Sequence, residues 1–358
     1  MLSLNIFAAV LLVAGFAAAY VLYRPRAGVP AAGRYPDPVA RSAARERMWD
    51  SRAWTAEVGP GDTAARVGPR FRGWFRGGWV LYLLGALLVL IAGGALYRSN
   101  DDVHVMAVTS FLAMSGVAWA FYRFTAARLA LDDVISPVQV IAIGTATAGA
   151  VLLIAANLNS WLIDLGGTRL AAGTVGLVEE GTKLLVPLVL FALARYRDPR
   201  AGIGAGLAAG FGFAVAETTQ YAYATASASG PDFCGGETAD PTAAGVVSAQ
   251  VTRVFTVSPL HWLWTGIAVA IAWRLWHLFG RRGTLGAVTA IVAVMAVHSF
   301  NDSSVTWGCG SPGLTFLFQV LRWAILVASY LVFKAAARRS TPPQLIGTVS
   351  PGWTPRRL

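Results

Sequence analysis

The sequence predicts an all-α, polytopic integral membrane protein, and three observations predict it. Of 358 residues, 56% are hydrophobic and 13% charged, whereas a soluble domain carries about 25% charged residues. Apolar runs recur, and several reach the roughly 20 residues that a helix needs to cross a bilayer core. The basic residues gather between those runs, as the positive-inside rule requires of a chain threaded through a membrane. The net charge of +11 therefore reflects topology, and no nucleic-acid partner is expected.

Nine runs read as spans: 3–22, 79–97, 104–122, 134–156, 171–194, 202–226, 250–275, 283–301 and 313–335. The first has no basic residue ahead of it, Arg24 being the first charge. A cleavable signal peptide has a basic n-region, so the run reads as a retained anchor. Its small residues Ala17 to Ala19 keep cleavage as the alternative.

Residues 23–78 form an Arg-rich segment with eleven arginines. Around 40–56 we expect a helix lying on the membrane surface, and RFRGWFRGGW at 70–79 has the Arg and Trp mixture of a headgroup-level anchor. Anionic lipid is the expected partner, since each basic residue near such a surface gains about 1 kcal/mol.

Alternate threading of nine spans puts the 23–78 segment on one side with Arg123 and Arg128, with Arg195, Arg197 and Arg200, with Arg274, Arg281 and Arg282, and with the basic tail. Asp101, Asp102, Asp164, Asp232, Glu237, Asp240 and Asp302 fall on the other. The N-terminus is then outside and the C-terminus inside. Cys234 and Cys309 both fall in outer loops, where a disulfide is chemically allowed.

An ionisable side chain at mid-span costs about 2.5–3.5 kcal/mol on insertion scales, so it is a functional candidate. Spans five to eight carry Glu179, Glu180, Lys183, Glu217, His261 and His298. In the nine-span threading all of them lie towards the outer leaflet, with His298 near the outer end of its span. Lys183 follows Glu180 by three residues and Glu179 by four, on one helical face. It is one of only two lysines, Lys334 being the other. His298 and Asp302, four apart, can meet as an imidazole and its orienting carboxylate. Glycines 202, 204, 206, 210 and 212 lead up to Glu217 and permit close helix approach. Trp262, Trp264 and Trp307 read as interface-belt residues.

The pieces are VEEGTKLL at 178–185, GFGFAVAETTQY at 210–221, HWLWTG at 261–266 and HSFND at 298–302. In this order, each on its own span, they resemble the PrsW family, which belongs with the CAAX-protease-like intramembrane enzymes. The resemblance covers about 170–302. It implies a catalytic set of Glu179, Glu180, Glu217, His261 and His298, supported by Lys183, Arg253 and Asp302. The family often has Asn after its third glutamate, where this chain has Thr218. The implied activity is proteolysis of a membrane protein or peptide near the outer face of the cell membrane, in its best-known setting of an anti-sigma factor. The chain then divides into an anchor (1–22), the cytoplasmic Arg-rich segment (23–78), accessory helices (79–156), a PrsW-like catalytic core (157–312) and a last helix with a basic tail (313–358).

Two chemistries fit these residues. In one, Glu180 or Glu179 is general base for water, and His261 and His298 position the water or stabilise the oxyanion. In the other, Glu217, His261 and His298 bind Zn²⁺, which activates the water. Two other classes use such residues: a proton-coupled transporter or channel, and an inactive scaffold that keeps the motifs. Substrate identity, metal dependence and oligomeric state are open at this stage.

Overall fold

Long stretches of Ala, Leu, Val and Gly with few breakers fold into helices because lipid leaves every backbone polar group to be satisfied within its own segment. The computed structural model describes residues 2–23, 33–36, 45–49, 54–60, 78–227, 234 and 242–340. In chain order the helices are α1 (Leu2–Val21), α2 (Trp79–Asn100), α3 (Val103–Leu129), α4 (Pro137–Ala150), α5 (Ala156–Ala192), α6 (Pro199–Ala226), α7 (Ala243–Thr252), α8 (Ser258–Phe279), α9 (Thr284–Gly308) and α10 (Pro312–Ser340). Their starts are set locally. Ser136 and Gln139 form a capping box ahead of α4, and Asp198 caps α6 with Pro199 in the first turn. The protein is an all-α, multi-pass membrane protein.

Among the described residues, seven helical runs are long and apolar enough to cross a bilayer. Two of them span 56 and 66 residues, far beyond one crossing. In the first, Gly166 and Gly167 leave helical geometry, with Gly167 at φ 73°. A straight helix would hold residues 159 and 179 about 30 Å apart, yet Asn159 Nδ2 donates to Glu179 Oε1 at 3.1 Å. The chain therefore doubles back at the glycine pair. In the second run, a short 3-10 turn at Gly280–Gly283 folds α9 back along α8. Single π-helical turns at Val151–Ala155 and Arg253–Val257 join α4 to α5 and α7 to α8.

α6 runs through the middle of the bundle. A Cβ on Gly212 would lie 2.0 Å from the Gly144 carbonyl oxygen on α4, and one on Gly210 would lie 2.4 Å from Trp262 Cα on α8. Only glycine permits these two backbone approaches.

Three expectations from the sequence are corrected. Residues 45–49 and 54–60 are strands, not a surface helix. β1 (Gly33–Pro36), β2 (Arg45–Trp49) and β3 (Trp54–Pro60) form a three-stranded antiparallel sheet. Cross-strand pairing decides it: Arg47 Nη1 bonds the Thr55 carbonyl across the strands at 3.0 Å. Trp262 and Trp264 are buried, not belt residues; Trp264 Nε1 donates to Ser329 Oγ at 3.0 Å. Helix α9 continues to Gly308, so His298 lies ten residues, about 15 Å, before its end. That is close to the depth of Glu217, nine residues or about 14 Å before the end of α6. The Arg-Trp stretch of 70–77, the acidic residues 232, 237 and 240, and the last eighteen residues lie outside the described residues.

Candidate active site

Four helices bring their ionisable groups together. Glu179, Glu180 and Lys183 come from α5, Glu217 from α6, His261 from α8, and His298 with Asp302 from α9. Arg253 sits on the π-helical turn ahead of α8. Glu179, Glu180, Lys183, His261 and His298 are all buried.

Glu180 is the most fully bonded. Its Oε1 accepts from Lys183 Nζ at 2.5 Å and faces His298 Nδ1 at 2.9 Å. Its Oε2 lies 3.0 Å from the Thr265 hydroxyl, which shares its proton with the His261 carbonyl at 2.8 Å. Lys183 therefore pairs with Glu180. It also reaches His261 Nδ1 at 3.0 Å and the face of Phe213 at 3.9 Å. A buried charge pair persists when its remaining donors are satisfied, and the Lys183 ammonium meets that condition.

The other carboxylates are engaged less completely. Glu179 is held by Asn159 through Oε1, but its buried Oε2 has no hydrogen-bond partner. Glu217 Oε2 lies 2.7 Å from Arg253 Nη2 and 2.8 Å from His261 Nε2. These are charge contacts without alignment, so Glu217 Oε2 and His261 Nε2 both lack a hydrogen-bond partner. Asp302 stands 3.8 Å from His298 Nε2 and accepts from Asn301 Nδ2 at 2.9 Å. The tighter imidazole partner is Glu180. Thr218, in place of the family's Asn, lies with its hydroxyl 2.7 Å from Ser258 Oγ and ties α6 to α8.

A cavity of about 540 Å³ opens beside this cluster, and its walls include Glu217, Arg253, His261, His298 and Asp302. Glu179 and Glu180 stand behind that wall. Cys234 and Cys309 form a disulfide near the same end of α9.

The donor set suits a catalytic metal. One atom each from Glu179, His261 and His298 lie within 4.8 Å of one another, and three protein ligands with an open position characterise catalytic zinc. Proton donation from His298 Nδ1 to Glu180 leaves Nε2 as a lone pair, the outer-shell carboxylate arrangement that metal-binding histidines use. Glu179 Oε2 is a buried atom without a hydrogen-bond partner that a cation would satisfy. His261 has one further requirement. With the Lys183 ammonium on Nδ1, Nε2 carries the hydrogen, so ligation through Nε2 requires that contact to rearrange.

Four residues were not singled out by motif reading. Asn159 and Thr265 hold the two α5 glutamates, and Trp264 lies with its ring 4.5 Å from that of His298. Arg322 of α10 lines the cavity. Trp264 and Thr265 fall inside HWLWTG and Arg322 is a charge inside an apolar span, whereas Asn159 carried no signal. His104 is exposed and His277 half-buried.

Buried carboxylates and imidazoles from several membrane helices, set against a cavity, fit the class of polytopic intramembrane hydrolases. The family described as PrsW family intramembrane metalloprotease matches residues 136–332, more than half of the chain, and the chain belongs to that family. It is an intramembrane protease. The match opens at the α4 cap and ends within α10, so α1 to α3 and the sheet lie outside it. Comparisons with curated proteins and with solved structures return no match.

Proposed function

We propose that the chain is an endopeptidase that hydrolyses peptide bonds of membrane-associated proteins or peptides, with Glu179, His261 and His298 as a metal-holding group and Glu217 as proton acceptor. The observation that carries this reading is the buried convergence of those three donors beside a cavity walled by Glu217 and Arg253. Zn²⁺ bound there would lower the pKa of its water and polarise the scissile carbonyl.

The chain's own groups do the rest. Glu217 meets the cavity, so it takes the proton of the attacking water and returns it to the leaving amine. Arg253 beside it stabilises negative charge on the carbonyl oxygen. Glu180, with both oxygens engaged, positions His298 and Lys183 and takes no part in proton transfer. Asn159 holds Glu179.

A second reading omits the metal, and the Lys183 contact favours it. That contact leaves His261 Nε2 as a donor, suited to an oxyanion, with Glu179 as the base. Purified protein in nanodiscs, assayed on single-span peptides with metal quantified by mass spectrometry, separates the two. We expect about one metal per chain, loss of both metal and cleavage in Glu179→Gln, and retained metal in Glu217→Gln with cleavage down about 10²–10⁴-fold. Chelator-resistant cleavage by metal-free protein would establish the second reading. Ion flux abolished by the same variants, with no peptide cut, would return the cluster to transport.

Counting each of the two long runs as two crossings makes nine spans. With the arginine-rich loops inside, the disulfide and the catalytic cluster fall in the outer half of the cell membrane. A membrane-bound anti-sigma factor cut near that face fits this placement, and anionic lipid fits the 23–78 segment.

A further inference from the structure

Helix α10 carries a single charge through its apolar stretch. Between Pro312 and Lys334 the only Asp, Glu, Lys or Arg is Arg322. A guanidinium at mid-span costs about 2.5–3.5 kcal/mol unless it faces protein or a wet cavity. Its neighbours Phe316, Leu317, Val320 and Trp323 are exposed towards lipid. Arg322 is half-buried and turned the other way. It lines the 540 Å³ cavity together with His261, His298 and Arg253. With Gln319, Thr252 and Thr256 it also lines an adjoining cavity of about 60 Å³.

The site's carboxylates are already engaged. Ion pairs among the described residues join Lys183 to Glu180, Arg253 and His261 to Glu217, and His298 to Glu179, Glu180 and Asp302; none includes Arg322. Asp302 and Arg253 line the same cavity as Arg322. Arg322 therefore presents a planar fork of donors, matched to a carboxylate, on the wall facing the catalytic residues. Retaining such a group in an otherwise apolar, lipid-facing helix requires a use that Leu or Phe could not serve.

We propose that Arg322 is a specificity-determining residue that holds a carboxylate of the substrate, an Asp or Glu side chain close to the scissile bond. This rests on the protease reading. Because Arg322 lines the same cavity as His261 and His298, a chain segment occupying that cavity touches both. The guanidinium then fixes the register of the segment without taking part in the chemistry.

The test uses the full chain in phosphatidylcholine nanodiscs and fluorescent single-span peptides that differ only in Asp against Asn at scanned positions. Binding is measured by anisotropy in a Glu179→Gln background, which keeps Glu217 and Arg253 paired; cleavage is measured separately in the otherwise wild-type chain. At one or two positions Asp is expected to improve affinity about tenfold, the range of one charge-assisted hydrogen bond. Arg322→Gln should bring that ratio to about one, and Arg322→Lys should keep part of it. In cleavage the preference should appear in KM, with kcat little changed. An Asp/Asn ratio that Arg322→Gln leaves intact, or no preference in the parent chain, overturns the proposal. Affinity that follows added phosphatidylglycerol and ignores the peptide's carboxylate would assign the guanidinium to lipid, and also overturns it. A preserved binding ratio without cleavage would support Arg322 as a carboxylate site while sinking the protease reading.

Discussion

Helices α6 and α10 have almost the same length, 28 and 29 residues, and opposite surroundings. In their most apolar windows 89% of α6 is buried but only 11% of α10, although α10 has the higher mean hydropathy, 1.8 against 1.3. In water the more apolar helix would be the inner one. In lipid the tails are as apolar as Leu, and burial goes to the helix whose small residues let neighbours approach. The glycines of α6 meet that condition and its Glu217 reaches the cavity wall. The bulky residues of α10 do not, and the one charge in its apolar stretch, Arg322, has to turn inward.

The largest effect should come from the charges that the buried helices share. Glu180→Ala leaves the buried Lys183 ammonium without its bonded carboxylate and should destabilise the fold by about 3–5 kcal/mol. The Glu180→Ala/Lys183→Met pair should recover most of that, as read by thermal unfolding in nanodiscs. No recovery would mean that the two residues are not the coupled unit their 2.5 Å contact implies.

Backbone approach is next. Gly212→Ala drives a methyl into the Gly144 carbonyl and should cost about 1–3 kcal/mol. Val320→Ala on the lipid face of α10 should stay within about 0.5 kcal/mol. Equal losses at the two positions would break the comparison.

The smallest effect belongs to the sheet before α2. Arg34 and Glu57 form an exposed pair there, and Arg34→Ala should change stability by about 0–1 kcal/mol, less at high salt. A larger loss would mean that the sheet is packed against a surface outside the described residues.

Hydropathy and the rarity of intramembrane charge carried much of the reading. Apolar length marked the helices because a bilayer sets a minimum span, and the expense of a mid-span charge marked Glu179, Glu180, Lys183, Glu217, His261 and His298. Other features left weaker traces. The sheet at 33–60 rests on cross-strand pairing between segments that are short and polar. Trp262 and Trp264 look alike to a belt rule, because composition does not record which way α8 is rotated. Arg322 differed from the loop arginines only in position, and its direction depends on how α10 lies against α8 and α9.

By itself the sequence determined the class of the protein, the order of its helices and the residue types at the site, because those follow from transfer between water and lipid, residue by residue. The tertiary structure alone decided which groups meet: Glu180 with His298 across 118 positions, Asn159 with Glu179 across a glycine reversal, and Arg322 with the cavity. Those meetings depend on helix rotation, tilt and close approach, which are set by side-chain volumes on several segments at once, so no single stretch of sequence carries them.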